Sequence, residues 1–243
     1  MKRFTFIMII VSWGCNTLVE QSTPLEGDFY IQDGWLAFTS KKYEEADKHF
    51  DTAIETNDER SIYHLLSSIG KGWTYMYNAK TKSDSVLVAE NMVVLSGNYF
   101  DAALSILPEL DDNLIKTNDL MNLYSGLTLQ RAYSAKQKAA NGIHWETTNS
   151  GLSDKVETLY RQSITYSFYL EPTFVFQYDT SLDYEDIILI RIENYILIGE
   201  IKSAVFYYKD YGFECNDNEV NEDTIIECLC EVINDGNCPF DYD

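Results

Sequence analysis

Three histidines and 39 acidic side chains are the groups in this 243-residue chain best suited to acid–base chemistry. His49 lies in an amphipathic segment, His64 begins another such segment, and His144 lies in a polar stretch. None of them belongs to a catalytic pattern such as His-Glu-x-x-His, and neither Gly-x-Ser-x-Gly nor a glycine-rich phosphate loop occurs. The sequence therefore predicts a protein without enzymatic activity and without a cofactor.

Cysteine chemistry is concentrated at the C-terminal end, where four of the five cysteines lie: Cys215, Cys228, Cys230 and Cys238. An even number of cysteines in an exported protein indicates two disulfides. Cys228 and Cys230 are about 200° apart on a helix, so they are not expected to pair with each other. The bridges are then 215–228 with 230–238, or 215–230 with 228–238. A zinc site is the weaker alternative, because Cys-x-Cys differs from the usual Cys-x2-Cys spacing.

The same end of the chain is strongly acidic, with ten acidic residues and no Lys or Arg between residues 214 and 243. Residues 217–221 begin like a calcium-binding loop, but Glu222 replaces the glycine of the sharp turn and Cys228 replaces the bidentate Glu. No metal site is therefore expected. The net charge of −21 also argues against nucleic acid as a partner, because phosphate binding needs an excess of Lys and Arg.

The first fifteen residues have the composition of an export signal. Lys2 and Arg3 precede ten uncharged residues at 4–13. Ten helical residues span about 15 Å, half of the ~30 Å bilayer core, so a secretory signal is indicated and a spanning helix is not.

Gly14 and Cys15 resemble the end of a bacterial lipoprotein signal, in which a small residue precedes the cysteine that becomes lipidated. Ser12 and Trp13 depart from that pattern, and ordinary secretion is the alternative. The resemblance implies a lipid anchor at Cys15, and Asn16, which is not the Asp of inner-membrane retention, implies delivery to the outer membrane.

The strongest pattern in the chain is helical and lies between residues 28 and 58. Apolar or small side chains recur there at steps of three or four residues, at Tyr43, Ala46, Phe50, Ala53 and Ile54. Together with Gly34, this set resembles one tetratricopeptide repeat, a helix–turn–helix unit of ~34 residues. Tyr30 stands near the place of the family's early Trp, and Asp58 stands where the motif ends in Pro.

Weaker copies follow along the chain. Gly72 and Trp73 repeat Gly34 and Trp35 after 38 residues, and the second helix of that copy is either 85–94 or 100–107. Two more helix pairs are predicted at 119–140 with 154–170, opened by the capping box of Asp154 and Glu157, and at 184–198 with 201–211.

We therefore expect an all-α fold, a solenoid of about four helix pairs with a small cysteine-containing cap. The predicted units are a signal peptide, a lipidated tether, the helical domain and the acidic cap, with boundaries at 1–14, 15–27, 28–212 and 213–243. Residues 173–179 are expected to form a connection that packs aromatic rings against the helices, and residues 222–234 a short helix in the cap.

The tetratricopeptide resemblance implies a concave surface, lined by the first helix of each pair, that binds extended peptides or proteins. Aligning Gly34, Gly72 and Gly126 with the family's glycine assigns the residues that face a partner: Trp35, Phe38, Thr39, Trp73, Met76, Tyr77, Leu127, Gln130 and Arg131. The alternative is that these aromatic residues, at helical spacing, form the core.

The function expected from the sequence is that of a cell-envelope scaffold or adaptor lipoprotein that binds a protein or peptide without chemistry. One alternative is a lipoprotein that captures glycans or peptides for an outer-membrane transporter, with Trp35, Trp73 and Trp145 as stacking platforms. Another alternative is an adaptor in outer-membrane assembly, which rests on analogy alone.

Overall fold

The fold is all-helical. A computed structural model describes residues 26–58, 61–82, 85–140, 153–215 and 219–233. These residues form nine α-helices: α1 Glu26–Thr39, α2 Tyr43–Glu55, α3 Ile62–Thr81, α4 Val86–Ile106, α5 Thr117–Ala140, α6 Asp154–Ser167, α7 Tyr184–Leu197, α8 Ile201–Tyr211 and α9 Ile225–Ile233. Apart from one isolated β-bridge between Val175 and Asp183, the described residues contain no extended pairing. The predicted all-α class is confirmed.

The helices pack in the order of the chain. Each helix from α1 to α8 contacts the next, and α1, α3, α5 and α7 also contact one another in series. These odd-numbered helices therefore form one layer, against which α2, α4, α6 and α8 pack. Helix α9 packs on α7 and α8.

Two phenylalanines lock neighbouring helices together, and glycines make room for them. Phe50 of α2 is fully buried, and the ring lies against both Gly34 of α1 and Gly70 of α3. Fifty residues later, Phe100 of α4 lies in the same way between Gly72 of α3 and Gly126 of α5. A Cβ at Gly34 or Gly72 would lie 2.6 Å from the ring, so only glycine permits this approach.

The residues that directly follow Phe50 and Phe100 are aspartates, and each forms an ion pair with a buried cation of the next odd-numbered helix. Asp51 pairs with Lys71 of α3, whose ammonium also lies 2.7 Å from Asp47 Oδ1. Asp101 pairs with Arg131 of α5. Burial alone would lower the pKa of Lys71, but the hydrogen bonds to Asp47 and Asp51 outweigh burial and hold that pKa above its ordinary value.

Several predicted boundaries change. The two candidate segments 85–94 and 100–107 belong to one continuous helix, α4. The cap of α6 is Ser153, whose hydroxyl accepts the backbone N–H of Val156, so the predicted capping box at Asp154 is wrong. A capping box is present instead at Asp183, the cap of α7.

The C-terminal cap continues the last helix pair. Ile188 and Ile192 of α7, Tyr208 of α8 and Ile225 of α9 belong to one buried cluster. A disulfide joins Cys215 to Cys228, one of the two predicted pairings. Cys230 is also disulfide-bonded, and Cys238 lies outside the described residues.

Candidate functional site

The candidate site is the surface of the odd-numbered helices, which we call the inner face. These helices run in the same direction: Trp35 of α1 and Trp73 of α3 both contact Phe176, and one turn later Phe38 lies 5.1 Å from Tyr77. Because the helices are parallel, equivalent positions on successive helices lie side by side. We divide the inner face into two halves, one covered by residues 168–183 and one left open.

The covered half lies beneath the connecting segment, residues 168–183 between α6 and α7. Its central residues alternate, because Phe174 and Phe176 are buried whereas Val175 and Gln177 are exposed. This alternation is that of an extended chain, which directs every second side chain to the same side. The expectation that this segment packs aromatic rings against the helices is confirmed.

Two stacked pairs of rings attach the connecting segment to the inner face. Trp35 and Tyr178 lie parallel with ring centroids 3.7 Å apart, and Trp73 and Phe176 stack at 4.1 Å. The Trp73 indole N–H donates to the backbone carbonyl of Asn122 at 2.9 Å, so the polar atom of this fully buried ring is satisfied.

A hydrogen bond fixes the end of the segment. The Tyr77 hydroxyl donates to Asp179 Oδ2 at 2.7 Å, across a separation of 102 residues in the chain. Hydrogen bonds from Ser181 and from Tyr77 hold the pKa of Asp179 below its ordinary value. Burial and the adjacent Asp179 carboxylate raise the pKa of Tyr77.

Most of the residues predicted to face a partner from α1 and α3 are instead part of the core. Trp35, Phe38, Trp73 and Met76 are at most 8% exposed. They are buried because the connecting segment and neighbouring helices surround them, and Trp35 and Trp73 are likewise closed to the stacking of glycans.

The other predicted residues of α1 and α3 have intermediate or exposed positions. Tyr77 is half-buried and binds Asp179, as described above. Thr39 is exposed at the end of α1, where its hydroxyl donates to the backbone carbonyl of Leu36.

The predictions on α5 were wrong in register. Gln130 and Arg131 are buried toward α4, where the Gln130 amide donates to the Val93 carbonyl and Arg131 pairs with Asp101. Leu127 is fully buried as well. The reason is that Gly126 contacts the ring of the preceding helix pair, as Gly70 does, and is therefore not equivalent to Gly72.

Hydrogen bonds identify the true equivalent of Gly72. The Ser96 hydroxyl of α4 donates to the Gly72 carbonyl, and the Ser163 hydroxyl of α6 donates in the same way to the Thr128 carbonyl. Thr128 is therefore the residue of α5 that is equivalent to Gly72. The residues of α5 equivalent to Trp73, Met76 and Tyr77 are then Leu129, Ala132 and Tyr133.

These three residues line an open pocket in the open half of the inner face. The pocket measures about 190 Å³ and is formed by side chains of α3, α5 and α7: Met76, Lys80, Leu129, Ala132, Tyr133, Lys136, Ile190 and Glu193. Its floor is apolar, and Tyr133 is 41% exposed. Met76 is the only residue of the original prediction that lines it.

Lysines recur at one position along this half. Eight residues after Gly34, Gly72 and Thr128 stand Lys42, Lys80 and Lys136. Lys42 pairs with Glu45 at the surface, and Lys136 lies 2.6 Å from the buried Glu193. Among the described residues Lys80 has no carboxylate within ion-pair distance, and its ammonium lies 4.5 Å from the Tyr77 ring centroid. We call these three residues the lysine row.

A second, wider depression of about 650 Å³ extends the basic region around the end of α1. Lys41, Lys42, Lys48 and Lys82 all line it, together with Glu44 and Glu45. Such clustering is unusual here, because the whole chain has only 18 basic residues against 39 acidic ones. Lysines near helix C-termini interact favourably with the helix dipole, so Lys41, beyond the end of α1, and Lys82, the C-cap of α3, also stabilise these ends.

The remaining predictions concern anchoring and metals. Cys15 and Trp145 lie outside the described residues. Within the described ranges, no three His, Cys, Asp or Glu side chains lie close enough together to hold a metal ion. No helix in those ranges is both long and apolar enough to cross a membrane.

Comparison with protein-family models, with curated proteins and with solved structures finds no match for this chain.

Proposed function

We propose that this chain is a non-enzymatic binding scaffold, a tetratricopeptide-like solenoid that holds a segment of a partner protein on the open half of its inner face. The observation that carries the proposal is the pocket shared by α3, α5 and α7, with the lysine row beside it. Two observations support the solenoid. The helices contact one another in chain order, and Phe50 and Phe100 each pack against glycines of the two neighbouring helices, an arrangement that we call the Gly–Phe interlock.

The size of the pocket favours a peptide side chain as its occupant. Pockets for drug-sized ligands measure roughly 300–1,000 Å³, and this one measures about 190 Å³. Its floor of Met76, Leu129 and Ile190 suits one apolar side chain, and the remaining binding energy then comes from the face around it.

The lysine row favours an acidic partner segment. The chain as a whole has a net charge of −21 and repels acidic proteins, so a local row of ammonium groups selects where such a segment docks. Lys80 is the residue best placed to pair with a partner carboxylate, because Lys42 and Lys136 already have Glu45 and Glu193.

We also propose that the protein is exported and lipid-anchored at Cys15. The Cys215–Cys228 disulfide supports export, because disulfides persist in oxidising compartments. Replacing Cys15 with Ser and following the protein through membrane fractionation tests the anchor: the C15S variant is expected in the soluble fraction, and an unchanged membrane fraction would contradict lipidation.

Selection of peptides from a random library tests the binding function. We expect enriched peptides with an apolar residue close to Asp or Glu and a Kd on the order of 1–100 µM, measured by calorimetry. The variants K80E and Y133D should weaken binding at least about tenfold, because one reverses the pairing charge and the other places a charge at the pocket.

K155E is the matched control, because Lys155 is an exposed lysine of α6 away from the inner face and the substitution changes the net charge equally. It should change Kd by less than about twofold. Failure to enrich any motif, or equal losses in K80E and K155E, would contradict a binding site on this face.

A further inference from the structure

A pocket without any charged side chain lies between the connecting segment and the first turns of α5. It measures about 230 Å³. Its seven lining residues are all uncharged, although the chain has 18 basic and 39 acidic residues: Asn118, Met121, Asn122, Thr173, Phe174, Val175 and Gln177. We call it the amide pocket, because three of these side chains end in an amide. Such a lining disfavours an ionic ligand, since no counter-charge replaces the water that the ion would lose.

Asn122 is the residue of the amide pocket that points most directly to a ligand. It is only 4% exposed, yet within the described part of the chain no hydrogen bond involves its side-chain amide. Buried amides are almost always hydrogen-bonded, so an unpaired one at the wall of a pocket marks a place for a complementary group. The backbone of Asn122 is held in place, because its carbonyl accepts the Trp73 indole N–H and the Ser125 hydroxyl.

The wall formed by the connecting segment offers a free strand edge at Val175. This residue pairs with Asp183 in the isolated β-bridge, and the Phe176 N–H donates to the Leu182 carbonyl at 2.8 Å. Successive residues of an antiparallel pair direct their backbone groups to alternate edges, so the N–H and C=O of Val175 point away from the bridge. Neither group has a hydrogen-bond partner among the residues that the structure describes. Each of the two walls therefore supplies an unpaired donor and an unpaired acceptor.

We propose that the amide pocket binds one extended stretch of an uncharged peptide through its backbone. An extended chain has N–H and C=O groups on both edges, and they alternate from one residue to the next. One residue of the peptide bonds the N–H and C=O of Val175, as in strand addition to a sheet edge. The next residue points to the other edge and bonds the Asn122 amide, which both donates and accepts.

The walls of the amide pocket favour a peptide over a carbohydrate. Sugar rings stack on exposed aromatic faces, and Phe174, the one ring among the lining residues, is only 2% exposed. A peptide instead needs paired donors and acceptors, which both walls supply. Met121 and Val175 add apolar surface for one small side chain of the peptide. Because no lining residue is charged, binding should be nearly the same at low and at high salt.

NMR titration of the full chain with a panel of hexapeptides of Ala, Val and Thr, blocked at both ends, tests the proposal. We expect a Kd on the order of 0.1–1 mM for the best of them, because few groups are bonded. N122A should weaken binding at least about tenfold without lowering the midpoint of urea unfolding, because no hydrogen bond within the chain is lost. N98A, which removes an exposed asparagine of α4 outside the pocket, is the control and should bind like the wild type.

Methylation of single backbone nitrogens of the best peptide, one position at a time, tests the two-edged geometry. Two adjacent positions should each lose at least about tenfold in affinity, one for Val175 and one for Asn122. With N122A only the position that faces Val175 should remain sensitive. The proposal is overturned if no peptide of the panel binds up to about 5 mM, or if the neutral sugar maltotetraose binds in their place. Equal losses in N122A and N98A, a lowered urea midpoint in N122A, or a scan without that adjacent pair overturn it too.

Discussion

Trp73 of α3 and Phe176 of the connecting segment stack with ring centroids 4.1 Å apart and planes 22° from parallel. Both side chains are fully buried. The chain thus fills half of its own inner face with an extended segment whose aromatic side chains take the place that a partner peptide was expected to take. This relationship divides the inner face into a half that contributes to stability and a half that stays open.

Removal of the tryptophans tests this division. W73A should lower the free energy of unfolding by about 3–5 kcal/mol, because a fully buried ring is lost and leaves a cavity. W35A should cost about 3 kcal/mol, because Trp35 is buried and its stack with the half-buried Tyr178 is lost. Urea unfolding measures both values, with L36A as control, expected within about 0.5 kcal/mol of wild type. A W73A variant as stable as L36A would mean that the ring lies in an open groove.

The Gly–Phe interlock predicts a coupled pair of substitutions. G34A alone should destabilise by about 1–3 kcal/mol, since a Cβ at this position would lie 2.6 Å from the Phe50 ring. F50L alone should also destabilise, because it leaves a cavity. In G34A/F50L the smaller side chain makes room for the new methyl group, so the combined loss should be smaller than the sum of the two. Simple additivity in a double-mutant cycle would show that the ring and the glycine are not in contact.

The two sides of the Lys71 ion pairs should differ in the stability that is lost when each is replaced. D47N/D51N should cost about 3 kcal/mol or more, because the ammonium is then left buried without a counter-charge. K71M should cost less, about 1–2 kcal/mol, because Asp51 is half-exposed and Asp47 keeps the hydrogen bond from the Tyr75 hydroxyl. Chemical denaturation at neutral pH compares the two variants. The reverse order of losses would show that Lys71 is not buried as described.

The Tyr77–Asp179 bond predicts a loss of stability in acid. The pKa of Asp179 is lower in the folded chain than in the unfolded chain. The stability that this carboxylate contributes is therefore present above its pKa in the unfolded chain, and it is lost as the pH falls through its pKa in the folded chain. Y77F should therefore lower stability by about 1 kcal/mol at neutral pH, and the difference from wild type should shrink below about pH 4. Thermal unfolding from pH 7 to pH 3 measures this difference. A constant difference across that range would show that the hydroxyl does not bond the carboxylate.

The helical hairpins were predictable because local spacing encodes them. Tyr43, Ala46, Phe50 and Ala53 form the apolar side of α2, and all four are buried. Gly34 was recognisable as a site of close approach, although the residue that approaches it became known only from the structure. Short-range patterns of this kind depend on neighbours three or four residues away, which the sequence displays directly.

The site was harder to predict because it depends on distant contacts and on register. Alternation in residues 173–179 indicates an extended chain but not the helices on which it lies, and Tyr77 and Asp179 are 102 residues apart. On α5 the alignment point was Gly126. This glycine packs against Phe100 of the preceding helix, as Gly70 packs against Phe50, and it is therefore not equivalent to Gly72. A shift of two residues on a helix turns the predicted face by about 200°, which explains why Gln130 and Arg131 point toward α4.

Lys80 and Lys136 were missed because single lysines on helices usually face solvent and carry no pattern of their own. Their common position becomes visible only after the hydrogen bonds of Ser96 and Ser163 set the register. Lys71 was missed for the related reason that its two aspartates lie on a different helix.

Photo-cross-linking in the cells that make this protein tests the central claim most directly. A photoreactive amino acid at Tyr133, beside the open pocket, should give a covalent adduct with one protein, and K80E should abolish that adduct while leaving the fold intact by circular dichroism. The same probe at Phe206, an exposed residue of α8 away from the pocket, should give none. No adduct at Tyr133, or the same adduct from both positions, would contradict the account of the inner face as a binding surface.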